Sequence, residues 1–201
     1  MIKVVIFDWG GVLIDNPYEG IISYCANDLN VNKELFQKIN HTYLHEFERG
    51  LIKEKDMWTG VCNDLNIETP TTSSLWYDAV KNNFTEKKDV HNVLHTLRKN
   101  NYKTGFLSNT EIPAAKYFFE KDYENLFDAT VFSCFEGIAK PEEAIYRTAL
   151  KRLKVKPEEA VFIDDKPHFI EGAKKIGLQG IVYKNTDQLK QELISLDINL
   201  N

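Results

Sequence analysis

The sequence predicts an α/β fold: a parallel sheet covered by helices on both faces, interrupted after its first strand by a helical insertion. Three observations point there. Five short runs are apolar at consecutive positions: KVVIFD ending at Asp8, KTGFLS (103–108), ATVFS (129–133), AVFID (160–164) and GIVYK (180–184). Runs of this kind suit strands buried on both faces. Helical periodicity lies between them, and alternating strands and helices build a parallel sheet. Finally, more than ninety residues separate the first run from the second, too many for one crossover helix.

Each element follows in order. The first strand ends at Asp8. Residues 16–85 hold no convincing strand; helical stretches fall near 18–29, 33–49, 53–65 and 73–83. Asn16-Pro17, Gly50 and ETPTTSS (68–74) punctuate them. The expected division is a core of residues 1–14 and 86–201 with a small helical cap at 15–85. The cap is expected over the carboxyl edge of the sheet, where open α/β sheets bind ligands. Val90, Val93, Leu94 and Leu97 mark one helix face, and Ile145, Ala149 and Leu153 another. Pro141, followed by two glutamates, suits the first turn of that second helix. A further helix begins near Pro167, and Gly177 reads as a helix stop.

Composition narrows the function. The 201 residues are 43% hydrophobic and 27% charged, one ordinary domain with room for a small insertion. No apolar run exceeds four residues, so no membrane span is expected. The first strand meets Asp8 too early for a signal peptide. A net charge of −5 without a basic stripe argues against nucleic acid and anionic membranes as partners. Cys25, Cys62 and Cys134 form no CxxC and no disulfide framework, which fits the reducing cytoplasm.

Four polar clusters fall at strand ends or helix starts: FDWGGVLID with Asp8, FLSNT with Ser108, Asn109 and Thr110, SCFEGIAKP with Lys140, and FIDDKP with Asp164 and Asp165. Taken singly, each has a plain structural reading as a turn, a helix cap or a surface lysine. Together they converge on one sheet edge. Three carboxylates in one cleft repel unless a cation intervenes. Oxygen ligands in this small number suit Mg²⁺, which keeps waters and often a phosphate. Ser108, Asn109 and neighbouring backbone N–H groups suit anionic oxygens, and Lys140 adds a compact positive charge. The local chemistry therefore points to a phosphate held between Mg²⁺ and these donors, facing the Asp8 carboxylate, and the expected partner is a small phosphorylated metabolite.

In this order the four motifs resemble the haloacid dehalogenase superfamily of aspartate-nucleophile phosphatases, with its Rossmann-like core. Ser133, Gly137, Lys140 and Pro141 fit the pattern S-x-x-x-G-x-x-K-P. The insertion resembles the small cap of one subclass. HEFERG (45–50), FLSNT, KPEEAIY and IEGA are similar to segments of bacterial α-glucose-1-phosphate phosphatases. The resemblance implies that Asp8 attacks phosphorus and forms an aspartyl-phosphate. It implies Mg²⁺ held by Asp8, the Gly10 carbonyl and Asp165, with Asp164 orienting metal-bound water. Ser108, Asn109 and Lys140 would hold the phosphoryl oxygens.

One departure matters. Most of these phosphatases read D-x-D, and the second aspartate moves protons. Here the sequence reads Asp8-Trp9-Gly10. General acid–base catalysis is typically worth about 10²–10⁴-fold, so a preference for good leaving groups such as a sugar 1-phosphate is expected. Two other readings stand beside this one. A haloacid dehalogenase needs no second aspartate, but works without Mg²⁺, which leaves the Asp164–Asp165 pair unexplained. A non-catalytic phosphate-binding or regulatory protein would have no need of Asp8.

Other features take plain readings. His41, His45 and Glu48 have zinc-like spacing, but read as a polar helix face opposite Phe36, Ile39, Tyr43 and Phe47. His91 and His95 read as a solvated face. Trp9 either lines the cleft or packs against the insertion, and Trp58 and Trp76 read as its core. Asp15 reads as a loop cap, with a replacement acid as the alternative. Nothing marks Cys134 as reactive.

Overall fold

A computed structural model describes residues 1–201. The strands are β1 (Val4–Phe7), β2 (Lys103–Ser108), β3 (Ala129–Phe132), β4 (Ala160–Asp164) and β5 (Gln179–Val182). All pair in parallel, in the order β3-β2-β1-β4-β5. Alternation along each strand divides the core. Val5, Phe7, Phe106, Val161 and Ile163 face a large apolar cluster. Val4, Ile6, Leu107, Ala160 and Phe162 face a smaller one.

The chain between β1 and β2 forms α1 (Tyr18–Asp28), α2 (Lys33–Glu48), α3 (Glu54–Leu65), α4 (Leu75–Asn82) and α5 (Lys88–Lys99). Their boundaries have local causes. The Asn32 side chain accepts from the Leu35 N–H and starts α2, and Ser74 does the same for Tyr77 at α4. Asn66, in the left-handed region, ends α3. α1–α4 pack on one another around Phe36, Trp58 and Trp76, with Phe36 and Trp58 stacked 6.1 Å apart. No helix is long and apolar enough to cross a membrane.

After β2 come α6 (Ile112–Glu120), α7 (Ser133–Glu136), α8 (Glu143–Leu153), α9 (Pro167–Lys175) and α10 (Thr186–Ser195). α5, α6 and α10 join α1–α4 in the large cluster, and α8 and α9 supply the smaller. Pro141 corrects a sequence expectation. It precedes α8, whose N-cap is Glu142, so it belongs to the approach and not to the first turn. The Glu142 carboxylate explains the later start, since it accepts from the Ala139 N–H and holds that approach as a turn.

Candidate active site

Sheet register brings the acidic residues together. β1 pairs with β2 on one side and β4 on the other, the point where strand order reverses and a crevice opens. Phe7 lies level with Ile163, so the next residue on each strand, Asp8 and Asp164, sit side by side. The Asp8 N–H donates to the Ile163 carbonyl at 2.9 Å. Carboxylate oxygens of Asp8, Asp164 and Asp165 all fall within 4.8 Å of one another.

Lys140 enters this cluster almost fully buried, 4% exposed. Its Nζ lies 2.8 Å from Asp8 Oδ1 and 2.6 Å from Asp164 Oδ2. Burial pulls its pKa down, but the Asp8 and Asp164 carboxylates overcompensate and hold it above the ordinary lysine value. Asp8 is pushed up to about 7, first by burial and then by Asp164, with Lys140 opposing. The Asn109 amide clamps the lysine loop: its Oδ1 accepts from the Lys140 N–H at 2.8 Å and its Nδ2 donates to the Lys140 carbonyl at 3.1 Å. The side chain expected to serve as a free donor is thus also a strut for Lys140. Ser108 is buried, and its Oγ accepts from Thr110 Oγ1 at 2.7 Å.

The donor set fits a divalent cation. Asp165 Oδ1 is buried with no hydrogen-bond partner, an acceptor that a cation would satisfy. Its carboxyl lies where a Cβ on Gly11 would stand, 2.6 Å away. Trp9 and Gly11 carbonyls are taken, by the backbone N–H groups of residues 12–14 and by Lys87 Nζ respectively, whereas no donor reaches the Gly10 carbonyl. Asp164 is placed differently, for its two oxygens already accept from Lys140 Nζ and the Lys166 N–H.

The cleft above is a cavity of about 330 Å³, at the small end for ligand sites. Asp8, Gly10, Ser108, Asn109, Lys140 and Asp165 line its floor. Its walls are residues the sequence reading gave no site role: Tyr18, Glu48, Trp76, Phe84, Glu111 and His168. Glu48 lies inside HEFERG (45–50) at the end of α2, and Glu111 follows FLSNT directly, so membership of or adjacency to a motif was the available signal. Burial pushes both up, Glu48 to about 8 and Glu111 to about 7, with Glu111 further raising Glu48.

The remaining candidates separate. His41 and His45 are exposed while Glu48 lines the cavity, so the zinc-like spacing gathers no ligand set. His91 corrects its expectation: it is half-buried, with Nε2 3.2 Å from the Leu13 carbonyl, because α5 lies against the loop after β1. His95 stays exposed. Trp9 does both things expected of it, lining the cleft and meeting Phe84 of the insertion with ring centroids 6.0 Å apart. Asp15 is exposed, outside the cavity lining.

A profile of the haloacid dehalogenase-like hydrolases matches residues 2–177. A glyceraldehyde 3-phosphate phosphatase of Pyrococcus furiosus is 27% identical over 203 residues, covering 91% of this chain and 81% of its own. A sesquiterpene phosphatase of Aspergillus oryzae is 28% identical over 190 residues, covering 89% and 88%. A solved Bacteroides thetaiotaomicron enzyme of the same family, in complex with magnesium and inorganic phosphate, superposes with a TM-score of 0.76 at 23% identity, covering 92% of this chain and 95% of its own.

Proposed function

Since the chain belongs to the haloacid dehalogenase-like hydrolases, we propose that it is a Mg²⁺-dependent phosphatase acting on a small phosphomonoester through an aspartyl-phosphate on Asp8. The observation that carries this reading is the cluster of Asp8, Asp164 and Asp165 with Lys140 buried among them and Asp165 Oδ1 unpartnered. Phosphatase-named relatives and the magnesium and phosphate of the Bacteroides enzyme support it. They favour it over a dehalogenase or a purely regulatory role.

The roles follow from placement. Asp8 is the nucleophile: its carboxylate oxygen attacks phosphorus, and its paired lysine favours the ionised form against burial and Asp164. Mg²⁺, when bound by Asp8, the Gly10 carbonyl and Asp165, supplies positive charge for the phosphoryl oxygens and relieves carboxylate repulsion. Lys140 and Ser108 hold those oxygens, and Asn109 fixes the Lys140 backbone from the end of β2. Asp164 holds Lys140 Nζ in place. The division into a core (1–14 and 86–201) and a cap (15–85) belongs to this proposal, with residues 15–85 closing the cavity.

Among phosphomonoesters a sugar 1-phosphate is the favoured substrate. The small cavity combines an aromatic wall of Trp76 and Phe84 with the carboxyls of Glu48 and Glu111, suited to a hydroxylated ring. A 1-phosphate also leaves from a more acidic hydroxyl than a simple alcohol does.

The test is phosphate release from sugar phosphates, nucleotides and acyl phosphates, with Mg²⁺, with chelator, and with Asp8→Asn. Release that needs Mg²⁺ and vanishes in a folded Asp8→Asn protein is expected. Retained turnover in that variant overturns the nucleophile assignment.

A further inference from the structure

Ester hydrolysis moves two protons that Asp8 cannot handle while it is bonded to phosphorus. The departing oxygen needs one, and attacking water must lose one. Position 10, two residues beyond the nucleophile, carries no side chain. The fold does not demand this: the backbone there is not left-handed, and a Cβ would meet only Pro17 Cδ at an ordinary 3.5 Å. The missing carboxyl is therefore a property of the chemistry, and another group must serve.

The cavity offers two carboxyls outside the Asp8–Asp164–Asp165 cluster, Glu48 and Glu111. They differ in surroundings. Glu111 opens α6, beside its own N–H and the Trp76 indole, whose buried Nε1 has no hydrogen-bond partner. Glu48 ends α2 and hangs over the floor from the insertion, within the fields of Asp8 and Lys140. Its backbone carbonyl accepts from Ser133 Oγ, and that same oxygen accepts from the Thr110 N–H, so its position is tied to the phosphoryl-binding loop.

We propose that Glu48 is the general acid and base of this enzyme, taking over the work of the carboxyl absent at Gly10, with Glu111 as the positioning residue that keeps its proton in place. The inference rests on the phosphatase reading above.

In the first half-reaction an Asp8 oxygen bonds to phosphorus. The phosphorus–ester oxygen bond breaks, its electron pair goes to the leaving oxygen, and the Glu48 carboxylic acid donates its proton there. In the second half, the Glu48 carboxylate takes a proton from water as the water oxygen bonds to phosphorus. The bond to Asp8 breaks, its electron pair returns to the carboxylate, and Glu48 is protonated again. Facing Glu48 are Glu111 from α6, Lys140 before α8, Arg49 beside it, Asp8 after β1 and Tyr18 from α1. Two carboxyls lining one cleft disfavour double ionisation, and burial with the Glu111 charge leaves Glu48 protonated near neutrality.

The test is a pre-steady-state comparison of p-nitrophenyl phosphate and an alkyl phosphate, with Mg²⁺, in native protein and Glu48→Gln. The expected variant gives a near-native burst of nitrophenol, then slow turnover as aspartyl-phosphate accumulates. Its alkyl-ester burst falls by about 10²–10⁴-fold. In a second measurement, Glu111→Gln shifts the alkaline limb of alkyl-ester cleavage to lower pH. An equal burst loss for both esters, no loss for either, or an unmoved limb overturns the assignment. Native protein that releases phosphate from neither ester overturns the phosphatase reading together with it.

Discussion

At the scale of single residues, the adjacent glycines 10 and 11 are held for different reasons. Gly10 has space and ordinary backbone angles. Gly11 has φ +86° and no space, since a Cβ would strike the Asp165 carboxyl at 2.6 Å. Gly11→Ala therefore carries a backbone cost of about 1–2 kcal/mol and pushes aside a proposed metal ligand. The expected outcome is a lower melting temperature together with a diminished Mg²⁺-dependent rise in it. A full Mg²⁺ response in Gly11→Ala would detach Asp165 from the metal. Both glycines stand in one motif, and the sequence marks them alike. What separates them is a residue more than 150 positions away, brought near by strand pairing. The Asn109 strut has the same origin. Its residue type announces a polar contact, but only the fold shows that both ends of its amide meet Lys140.

Among elements, the end of α2 is where the insertion meets the core. Three consecutive residues make the junction. The Glu48 carbonyl accepts from Ser133 Oγ at the start of α7, Arg49 pairs with Glu142 at 2.6 Å before α8, and Gly50 lies against the Cys134 carbonyl. Gly50 has φ +66°, and a Cβ would sit 2.2 Å from that carbonyl oxygen, so Gly50→Ala must separate α2 from α7. The expected loss is about 1–3 kcal/mol of stability, with turnover falling more than substrate affinity as Glu48 is displaced. Urea unfolding with steady-state kinetics checks this; native kinetics in a destabilised protein would uncouple the junction from catalysis. The helices themselves were legible, because amphipathic spacing and cap residues such as Asn32 and Ser74 are local. α6, α7 and α10 were not marked. α7 is four residues long, and α6 is apolar over most of its circumference, so neither carries a clear periodic stripe.

For the whole molecule, the strands were legible because burial on both faces makes them continuous apolar runs, and the order of motifs placed the acidic edge. The cavity walls were not, since Glu48 and Glu111 lie 63 positions apart and only tertiary packing joins them. Their burial gives the fold a pH signature. The ordinary value for each is 4.5, which the unfolded chain retains, and the folded values are about 8 and about 7. Between 4.5 and these values the folded protein binds more protons than the unfolded chain. Stability therefore falls as pH rises, the contribution being full below 4.5 and lost through pH 7 to 8. The cleft is open to solvent, which screens the effect and leaves a loss on the order of 1–2 kcal/mol. For a domain of this size that lowers the melting temperature by about 2–8 °C between pH 5 and pH 8.5. Asp8 contributes in the same direction when Mg²⁺ is chelated, so the glutamates are isolated by difference. Glu111→Gln removes one titrating group and lowers the pKa of the other, so its melting temperature should fall less over that range, with the gap to native protein widest above pH 8. Parallel profiles for the two proteins would mean that the acidic pair is solvated and ionised in the folded state, and would remove the physical ground for a proton held at Glu48.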